Sequence, residues 1–542
     1  MVGNYLTGII DDPAVTLSDV RDALLRRLNG EFSLENSGRK DAYSTFGPIQ
    51  KMRALDEMTV ARVLLARHRI VAVDLSEGRA EDMALVAMYI EFGEDEGTYT
   101  ASEARIKALA STLKPSMTAK SIDSVYARLR IHAPVVQRTT QPLLIPVANG
   151  VFDHARQELR PFSPDWVFLS KLPTAYDPDA ESPVILMPDG VAWDVESWIN
   201  SLSDDEGVPE LLWEVISAAV RSYAFWDKAI WFTAERGNNG KGTLVEMLRN
   251  LLGPTACSAV KFADFGHEFK MESLLYARVN LVDENDVGDF FARIADWKAA
   301  ITGDLFLLNR KYRTPLAMRF LGIDIQCFNS NTPRTKDRSE SFYRRLLIVK
   351  FRKWFGGAER KYIKRDYLAR SEVLRYVLKR ALEMQHTVLS NPVACQEVLD
   401  DYRGNNNTLM SFWLEFEEQF IWDLVPFRFL HALYREWSRR TNPSGHPESV
   451  NALVSFLREH LAGSPKWDHK GSVDVRPKGG MSAPEPLIAE YDLTDWMNGS
   501  YTGTDKLKRS IVSPLKTNYK GLVRLPVVAH AQAPALDEDT TD

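Results

Sequence analysis

The sequence predicts a multidomain α/β protein, and three observations lead to this fold class. The chain has 542 residues, which is too many for a single hydrophobic core. Apolar residues at three-to-four spacing, as in 19–28 and 58–67, indicate helices. Short apolar runs alternate with helical patterns between 228 and 355, which is typical of a layered α/β core. We therefore expect a helical N-terminal domain for oligomerisation or loading (1–135), a Pro/Asn/Asp-rich segment with short β-like runs (136–190), the α/β core (191–394), a further helical domain (395–500) and a disordered tail (501–542).

Composition excludes several classes of protein. The hydrophobic fraction of 45% and the charged fraction of 26% are those of an ordinary globular protein. No apolar run approaches the ~20 residues that span a bilayer, and the N-terminus lacks a signal-peptide pattern, so we expect no membrane association. Cys257, Cys327 and Cys395 are far apart in the sequence. This spacing excludes a disulfide framework and a four-cysteine zinc site, and it suits a reducing compartment.

Positive charge is concentrated in one segment of an acidic chain. The formal net charge is −6, yet residues 305–365 contain 16 lysines and arginines against four acids. Such a segment can bind a polyanion such as a nucleic acid. The alternative is an ordinary solvated basic face. Composition alone leaves both interpretations open.

A Gly/Asn-rich turn with the sequence ERGNNGKGT occupies 235–243. The apolar run at 229–233 predicts a buried strand before it, and an apolar stripe over 244–252 predicts a helix after it. A strand, a Gly-rich turn and a helix in this order point backbone N–H groups and a helix N-terminus at a bound phosphate. The residues predicted to contact it are Gly237, Asn238, Asn239, Gly240, Lys241, Gly242 and Thr243.

The turn departs from the usual phosphate-binding motif at two positions. Glu235 stands where the motif has glycine, and Gly242 stands where it has Ser or Thr, so the nearest hydroxyl is that of Thr243. Lys241 nevertheless lies where its ammonium group can reach the β- and γ-phosphates. The alternative is a Gly-rich turn that binds nothing.

Hydrolysis of a nucleoside triphosphate needs carboxylates at the end of a neighbouring strand. The run at 278–282 ends in Asp283 and Glu284. We expect Asp283 to hold Mg²⁺, together with the hydroxyl of Thr243, and Glu284 to polarise the attacking water. A later apolar run ends at Asn329, whose amide can bond both the γ-phosphate and the water, with Asn331 in reserve.

Two consecutive arginines precede a third apolar run. Arg344 or Arg345 could stabilise the transition state across a subunit boundary, a role that requires a multimer. The alternative is a pair of arginines in surface salt bridges.

The ordered motifs resemble the superfamily 3 DNA helicases, and specifically the C-terminal module of phage and plasmid primase-helicases. The resemblance runs from about 147 to 461 and rests on NGVFD at 149–153, the turn at 235–243, the acidic strand end, WKAAITGD at 297–304 and DRSESFYRR at 337–345. It implies a modified AAA+ P-loop ATPase core that uses ATP and Mg²⁺. It further implies a homo-oligomeric ring, usually a hexamer, that translocates on single-stranded DNA and unwinds forked duplex, 3′ to 5′.

The resemblance also implies which residues contact DNA. A β-hairpin in such rings carries basic residues into the channel, and Arg310, Lys311 and Tyr312 occupy the matching position. Lys298 opens the same motif and is counted with them, with a structural role as its alternative. The expected setting is a phage or mobile element in the cytoplasm of a bacterial host cell, with a primase or initiator protein as a further partner.

The flanking regions leave two further hypotheses open. Helical patterns at 428–437 and 447–461, followed by a strand-like segment, resemble the winged-helix domain that follows many such helicases, with a helical cap as the alternative. Asp74 is the one candidate acidic strand end for a primase site in the N-terminal region. The competing functions are therefore a helicase-primase with an unrecognised primer-synthesis site, and a non-catalytic origin-binding or assembly protein with a degenerate ATP site.

Overall fold

The computed structural model divides into two compact units, Met1–Asp400 and Asp401–Asp542. The residues that it describes are 15–41, 47–75, 84–267, 269–285, 290–291, 294–311, 315–329, 333–335, 337, 339–356, 360–406, 408–441, 447–469 and 480–525. Helices and several sheets are mixed along the chain, so the predicted multidomain α/β class is confirmed. No helix within the described ranges is long and apolar enough to cross a bilayer.

The N-terminal region contains a sheet as well as helices, so the prediction of a helical domain at 1–135 is wrong. Its elements are Leu17–Asp41 (α1), Glu57–Arg67 (α2), Ile70–Asp74 (β1), Leu85–Tyr89 (β2), Tyr99–Thr100 (β3), Glu103–Leu113 (α3), Ala119–His132 (α4) and Val135–Gln137 (β4). The sheet has the order β3-β2-β1-β4, and the helices share one apolar core with it. β1 and β2 are short, continuous apolar runs, and periodicity cannot distinguish such a run from a buried piece of helix.

The next segment is a small antiparallel region, as its short β-like runs predict. Its strands are Leu144–Val147 (β5), Gly150–Asp153 (β6), Glu158–Arg160 (β7), Ile185–Leu186 (β8) and Ala192–Trp193 (β9). β5, β6 and β7 form a meander, and β8 and β9 form a separate hairpin.

The α/β core follows in the same unit. Its elements are Val195–Asn200 (α5), Val208–Val220 (α6), Ala229–Ala234 (β10), Lys241–Leu252 (α7), Cys257–Ser258 (β11), Val279–Val282 (β12), Phe290–Phe291 (β13), Ala295–Thr302 (α8), Leu305–Leu308 (β14), Leu316–Arg319 (β15), Ile323–Asn329 (β16), Arg334–Thr335 (β17), Glu340–Tyr343 (α9), Leu346–Lys350 (β18), Lys361–Arg365 (α10) and Ser371–Glu383 (α11). Five strands form one parallel sheet with the order β11-β12-β16-β10-β18. β10 is buried along its whole length, and α6, α7 and α11 contribute to the same hydrophobic core.

Two smaller strand pairs accompany this sheet. β14 and β15 form an antiparallel hairpin in which Leu308 is opposite Leu316. β13 and β17 pair in parallel.

The second unit has its own aromatic-rich core. The last elements of the chain are Val393–Asn406 (α12), Thr408–Phe416 (α13), Leu424–Pro426 (β19), Phe427–Thr441 (α14), Val450–His460 (α15), Trp467–His469 (β20), Pro486–Glu490 (α16), Lys506–Arg509 (α17) and Gly521–Arg524 (β21). α14 and α15 confirm the two predicted helices. The strands form an antiparallel sheet with the order β19-β21-β20.

The prediction of a disordered tail at 501–542 is wrong over 501–525. β21 is the central strand of the sheet of the second unit, and Leu522 is completely buried in its core. The polar composition of the surrounding sequence hides this short strand, because its stability comes from pairing with β19 and β20 rather than from its own apolar pattern. Residues 526–542 lie outside the described residues.

Candidate active site

The turn between β10 and α7 has a backbone that depends on glycine. Asn238 and Gly240 have φ angles of 59° and 86°. A Cβ on Gly240 would lie 2.4 Å from Cδ2 of Leu202, so a side chain there would collide as well as strain the backbone. The Asn238 carbonyl accepts a hydrogen bond of 2.7 Å from the N–H of Phe355. The turn is therefore fixed immediately before the N-terminus of α7, where a helix favours an anion.

Lys241, the first residue of α7, is buried and points to the adjacent strand. Its side chain donates hydrogen bonds to the Phe328 carbonyl at 2.9 Å and to Oδ1 of Asn329 at 2.6 Å. Its backbone N–H donates to Oδ1 of Asn239 at 3.0 Å. The structure thus places Asn329 next to the lysine, a contact that the sequence analysis did not predict, while Asn331 lies outside the described residues. The ammonium group and the amide form one polar unit at the carboxyl end of β16.

Asp283 and Glu284 follow β12 directly, as the sequence predicts. Oδ1 of Asp283 lies 3.6 Å from the position that a Cβ on Gly242 would take, so its carboxylate faces the first turn of α7. Glu284 is exposed. Burial lowers the pKa of Lys241, and the charges of Asp283 and Glu284 oppose that shift. Three of the predicted catalytic groups, Lys241, Asp283 and Asn329, therefore meet at one edge of the sheet.

The strand order explains this convergence. β16 lies between β10 and β12, and all three strands are parallel. Their carboxyl ends consequently share one edge, with Asn329 between the turn and the acidic pair. Ligands of open parallel sheets bind at this edge. Asn285 fixes the end of the acidic strand, because its Nδ2 donates to Oε1 of Gln326 and to the Cys327 carbonyl, each at 3.0 Å.

The donor set fits a magnesium ion that is held mainly by its substrate. Thr243 lies in the first turn of α7, and its neighbour Gly242 is adjacent to the carboxylate of Asp283. The described residues contain no cluster of three or more His, Cys, Asp or Glu side chains that could hold a metal on their own. Mg²⁺ commonly keeps several waters and uses one or two carboxylates together with substrate phosphates. Asp283 and Thr243 suit that mode of binding.

A cavity of about 600 Å³ opens beside the turn, and the sequence gives no sign of it. Its walls are apolar on one side and basic on the other, and they come from segments far apart in the chain. The wall residues used below are Trp193, Trp198, Leu202, Phe355, Ile363 and Lys364. No local pattern marks these positions, because each is an ordinary core or surface residue of its own helix or strand.

Arg344 and Arg345 lie at the amino ends of the parallel strands, whereas the turn lies at the carboxyl ends. They precede β18, whose first residue Leu346 is paired with Ala229 at the start of β10. Arg344 is exposed. Arg345 is half-buried, its guanidinium group donates to the Ser341 carbonyl, and burial lowers its pKa. The structure therefore presents Arg344, and not Arg345, to the outside of the molecule.

The predicted DNA-contacting residues divide into two groups. Arg310 and Lys311 lie in the connection between β14 and β15, so the predicted hairpin is present; Tyr312 falls outside the described residues. Lys298 instead forms an ion pair with Asp337 and a hydrogen bond of 3.1 Å to Oγ of Ser341. These contacts within the chain favour the structural role for Lys298.

The basic segment at 305–365 is not one continuous face. Four of its cations form ion pairs with acids from earlier parts of the chain, namely Lys350–Glu235, Arg352–Asp205, Lys353–Asp204 and Arg360–Asp189. The high local charge thus serves partly to pair with neighbouring segments, as the solvated-face interpretation allows.

A buried acidic network beneath the site was not predicted. Asp324 in β16 accepts hydrogen bonds from Nδ2 of Asn280 at 2.7 Å, from Nε1 of Trp297 at 3.0 Å and from Nε2 of Gln326 at 2.7 Å. Burial raises the pKa of Asp324 to about 6. An aspartate inside a predicted central strand is the one signal in the sequence for such a network.

Three family models match separate segments of the chain. Residues 48–198 match a family described as D5 N terminal like, residues 232–345 match a family of unknown function, and residues 404–483 match a family described as Poxvirus D5 protein-like. The two D5-type matches are similarities of separate segments, and neither covers half of the chain. No curated protein matches the chain.

Solved structures also resemble the chain at low identity. The A form apo structure of the NrS-1 C terminal region is 14% identical, with a TM-score of 0.40, over 85% of this chain and 95% of that one. The apo structure of the NrS-1 C terminal region (305-718) is 13% identical, with a TM-score of 0.39, over 78% of this chain and 96% of that one.

Proposed function

We propose that this protein is an ATP-driven, ring-forming replicative DNA helicase of a phage or mobile element. The observation that carries the proposal is the hydrogen bond from Lys241 to Asn329, at the sheet edge that also holds Asp283. A buried lysine, a strand-end amide and a strand-end carboxylate together form the set of groups that binds and hydrolyses a nucleoside triphosphate. The D5-type matches support a role in DNA replication.

In the proposed complex the triphosphate lies at the N-terminus of α7. Lys241 neutralises phosphate charge, Asp283 and Thr243 hold Mg²⁺, and Glu284 orients the attacking water. Asn329 holds the lysine side chain and can release it to the γ-phosphate, since an amide oxygen is a weaker partner for an ammonium group than a phosphate oxygen. Mg²⁺ would supply neutralisation of charge on the phosphate oxygens.

The base would occupy the cavity beside the turn. Trp193 comes from β9, Trp198 comes from α5, and Phe355 comes from the segment after β18. Aromatic and aliphatic walls provide a surface on which a planar base can pack. The parallel sheet, the turn and this cavity support a modified AAA+ core.

The position of Arg344 supports a ring. An exposed guanidinium at the far edge of the sheet cannot serve the site of its own chain, but it can serve the site of a neighbour. Heterologous contacts that repeat by rotation close into a ring. We propose a homo-oligomer, with a hexamer as the expected form.

DNA would pass through the ring along the β14–β15 hairpin. Arg310 and Lys311, with Tyr312, would track the phosphates of single-stranded DNA without reading its sequence. We propose translocation from 3′ to 5′, action on forked DNA in the cytoplasm of a bacterial host, and a primase or initiator protein as a further partner.

The second unit has an order of elements that supports a winged-helix domain. Helix α13 and strand β19 precede the helix pair α14 and α15, and β20 and β21 complete an antiparallel sheet. Such domains place the second helix of the pair in a DNA groove. We propose that this unit contacts the duplex ahead of the ring.

A helicase-primase is the second candidate function, because the D5 N terminal match covers β1 and its terminal Asp74. Asp74 is buried, however, and accepts a hydrogen bond of 2.9 Å from Nε2 of Gln137. This contact holds the carboxylate of Asp74 against β4. Primer synthesis on a single-stranded template by the purified full chain would establish this second function.

The proposed function is tested by DNA-stimulated ATP hydrolysis and by the mass of the assembly. We expect the full chain to form a ring with DNA and ATP, and Lys241→Ala to abolish hydrolysis. Lys107→Ala is the matched control, because that lysine pairs with Glu103 and Asp123 in the N-terminal helices and should leave hydrolysis unchanged. A protein that stays monomeric and does not hydrolyse ATP would contradict the proposal. Normal origin function of the Lys241→Ala protein would instead favour a non-catalytic assembly protein.

A further inference from the structure

A second lysine, Lys364, lies beside the first turn of α7. Nζ of Lys364 lies 3.7 Å from the position that a Cβ on Gly242 would take, and Oδ1 of Asp283 lies 3.6 Å from the same point. Lys364 also lines the cavity beside the turn. The absence of a side chain at Gly242 therefore leaves open space between an ammonium group and a carboxylate.

The backbone of α10 holds Lys364 firmly in this place. Its neighbours Ile363, Tyr367 and Leu368 are buried in the hydrophobic core of the unit. Nδ2 of Asn250, near the end of α7, donates a hydrogen bond of 3.1 Å to the Leu368 carbonyl. α10 is thus attached to the helix whose N-terminus its lysine faces.

Lys364 has no hydrogen bond or ion pair with any acid in the described part of the chain, including the nearby Asp283. A half-buried ammonium group beside a helix N-terminus raises the local positive potential, and an anion entering the space would relieve it. Asp283 consequently remains available for a cation. The space suits a ligand that brings both an anion and a cation, and a polyphosphate with its bound metal is such a ligand.

We propose that Lys364 is a second triphosphate-binding lysine, which enters the space that Gly242 leaves open. This inference rests on the proposed nucleotide site and assigns it a residue that the loop motif does not contain. Lys364 lies level with the first turn of α7 and with Asp283, so it contacts the β- and γ-phosphates rather than the base. Lys241 and Lys364 then both contact the triphosphate.

The test is the affinity of the full chain for ATP, ADP and AMP, measured with Mg²⁺ by competition against a fluorescent ATP analogue. A charged hydrogen bond to phosphate corresponds to about a tenfold change in Kd. We expect Lys364→Ala to weaken ATP and ADP by that factor and to leave AMP unchanged. Lys364→Arg should retain most of the affinity, because it keeps the charge.

Arg365→Ala is the matched control, since it removes a positive charge from the same helix at an exposed position. It should bind all three nucleotides as the unchanged protein does. ATP affinity of Lys364→Ala equal to that of the unchanged protein would overturn the inference and leave the proposed function standing. Equal loss for ATP and AMP would also overturn it, since it would place Lys364 at the base or in the fold. A chain that binds no ATP in its unchanged form would contradict both.

Discussion

Removal of the Arg344 side chain should abolish ATP hydrolysis while leaving ATP bound. The reason is the length of β10, which separates Arg344 from the turn of its own chain. Ala229 at the start of β10 is level with Leu346, and β10 continues to Ala234 before the phosphate-binding turn begins. At about 3.3 Å per residue this places the arginines about 16 Å from the turn of the same chain. That gap is longer than an arginine side chain can reach, so the role proposed for Arg344 requires a neighbouring subunit.

The expected magnitude follows from the charge that the transition state develops. An arginine supplied from a neighbouring subunit contributes on the order of 10³-fold or more to kcat in phosphoryl transfer. We therefore expect Arg344→Ala to lower kcat by that order with little change in the Kd for ATP. Arg345→Ala is the matched control. It removes a contact with the Ser341 carbonyl, so it should lower the melting temperature more than it lowers kcat.

Mixed rings provide the decisive assay. Arg344→Ala and Lys241→Ala subunits are each inactive alone, but an interface with Lys241 on one side and Arg344 on the other is intact. Random equal mixing makes about a quarter of the interfaces intact, so about a quarter of the normal activity should return if the sites act independently. Activity equal to the mean of the two separate proteins would refute action across the interface. An Arg345→Ala protein that is inactive alone but regains activity when mixed with Lys241→Ala would assign the role to Arg345 instead of Arg344.

Two further predictions concern the hairpin and the buried acid. Lys311→Ala should keep basal ATP hydrolysis but lose its stimulation by DNA and the unwinding of duplex. The slope of log K for DNA binding against log salt concentration should decrease by about one, because one phosphate contact is lost. Normal unwinding would show that the hairpin does not track DNA. Burial raises the pKa of Asp324 to about 6, so the folded protein holds the proton of this carboxyl more tightly than the unfolded chain does. The contribution of Asp324 to the free energy of unfolding therefore falls as the pH rises from about 4 to 6. Asp324→Asn places an amide N–H against the indole N–H of Trp297 and removes this titration, so the variant should melt at a lower temperature than the unchanged protein. The difference in the free energy of unfolding between the two proteins should narrow by about 1 kcal/mol between pH 5 and pH 8. A difference that does not change with pH in thermal melts would contradict the assignment.

The turn at 235–243 and the side chains that meet beside it were predictable because each is a local pattern. Gly240 and Lys241 stand between a recognisable strand and a recognisable helix, and Asp283 and Asn329 each follow an apolar run directly. Parallel strands bring such ends to one edge, so pattern and topology together predict that Asn329 lies near the turn.

Features that depend on packing between distant segments were not predictable in this way. The N-terminal region was predicted as helical apart from the candidate strand end at Asp74, because a buried apolar run such as β2 has no period of its own. β21 was hidden in a polar tail because its stability comes from its neighbours. Lys298 matched a motif, yet its ion pair with Asp337 exists only after the chain has folded.

The sequence by itself determined which chemical groups this protein possesses and on which strands and turns they stand, since these follow from short-range patterns of polarity and backbone preference. The tertiary structure decided which of them meet. It left Arg344 exposed while Arg345 bonds the Ser341 carbonyl, it formed a cavity lined by Trp193 and Phe355, and it placed Lys364 beside Gly242. The physical reason is that a charge or an aromatic ring acquires its role from distance and burial, and these are set by core packing between residues that are remote in the chain.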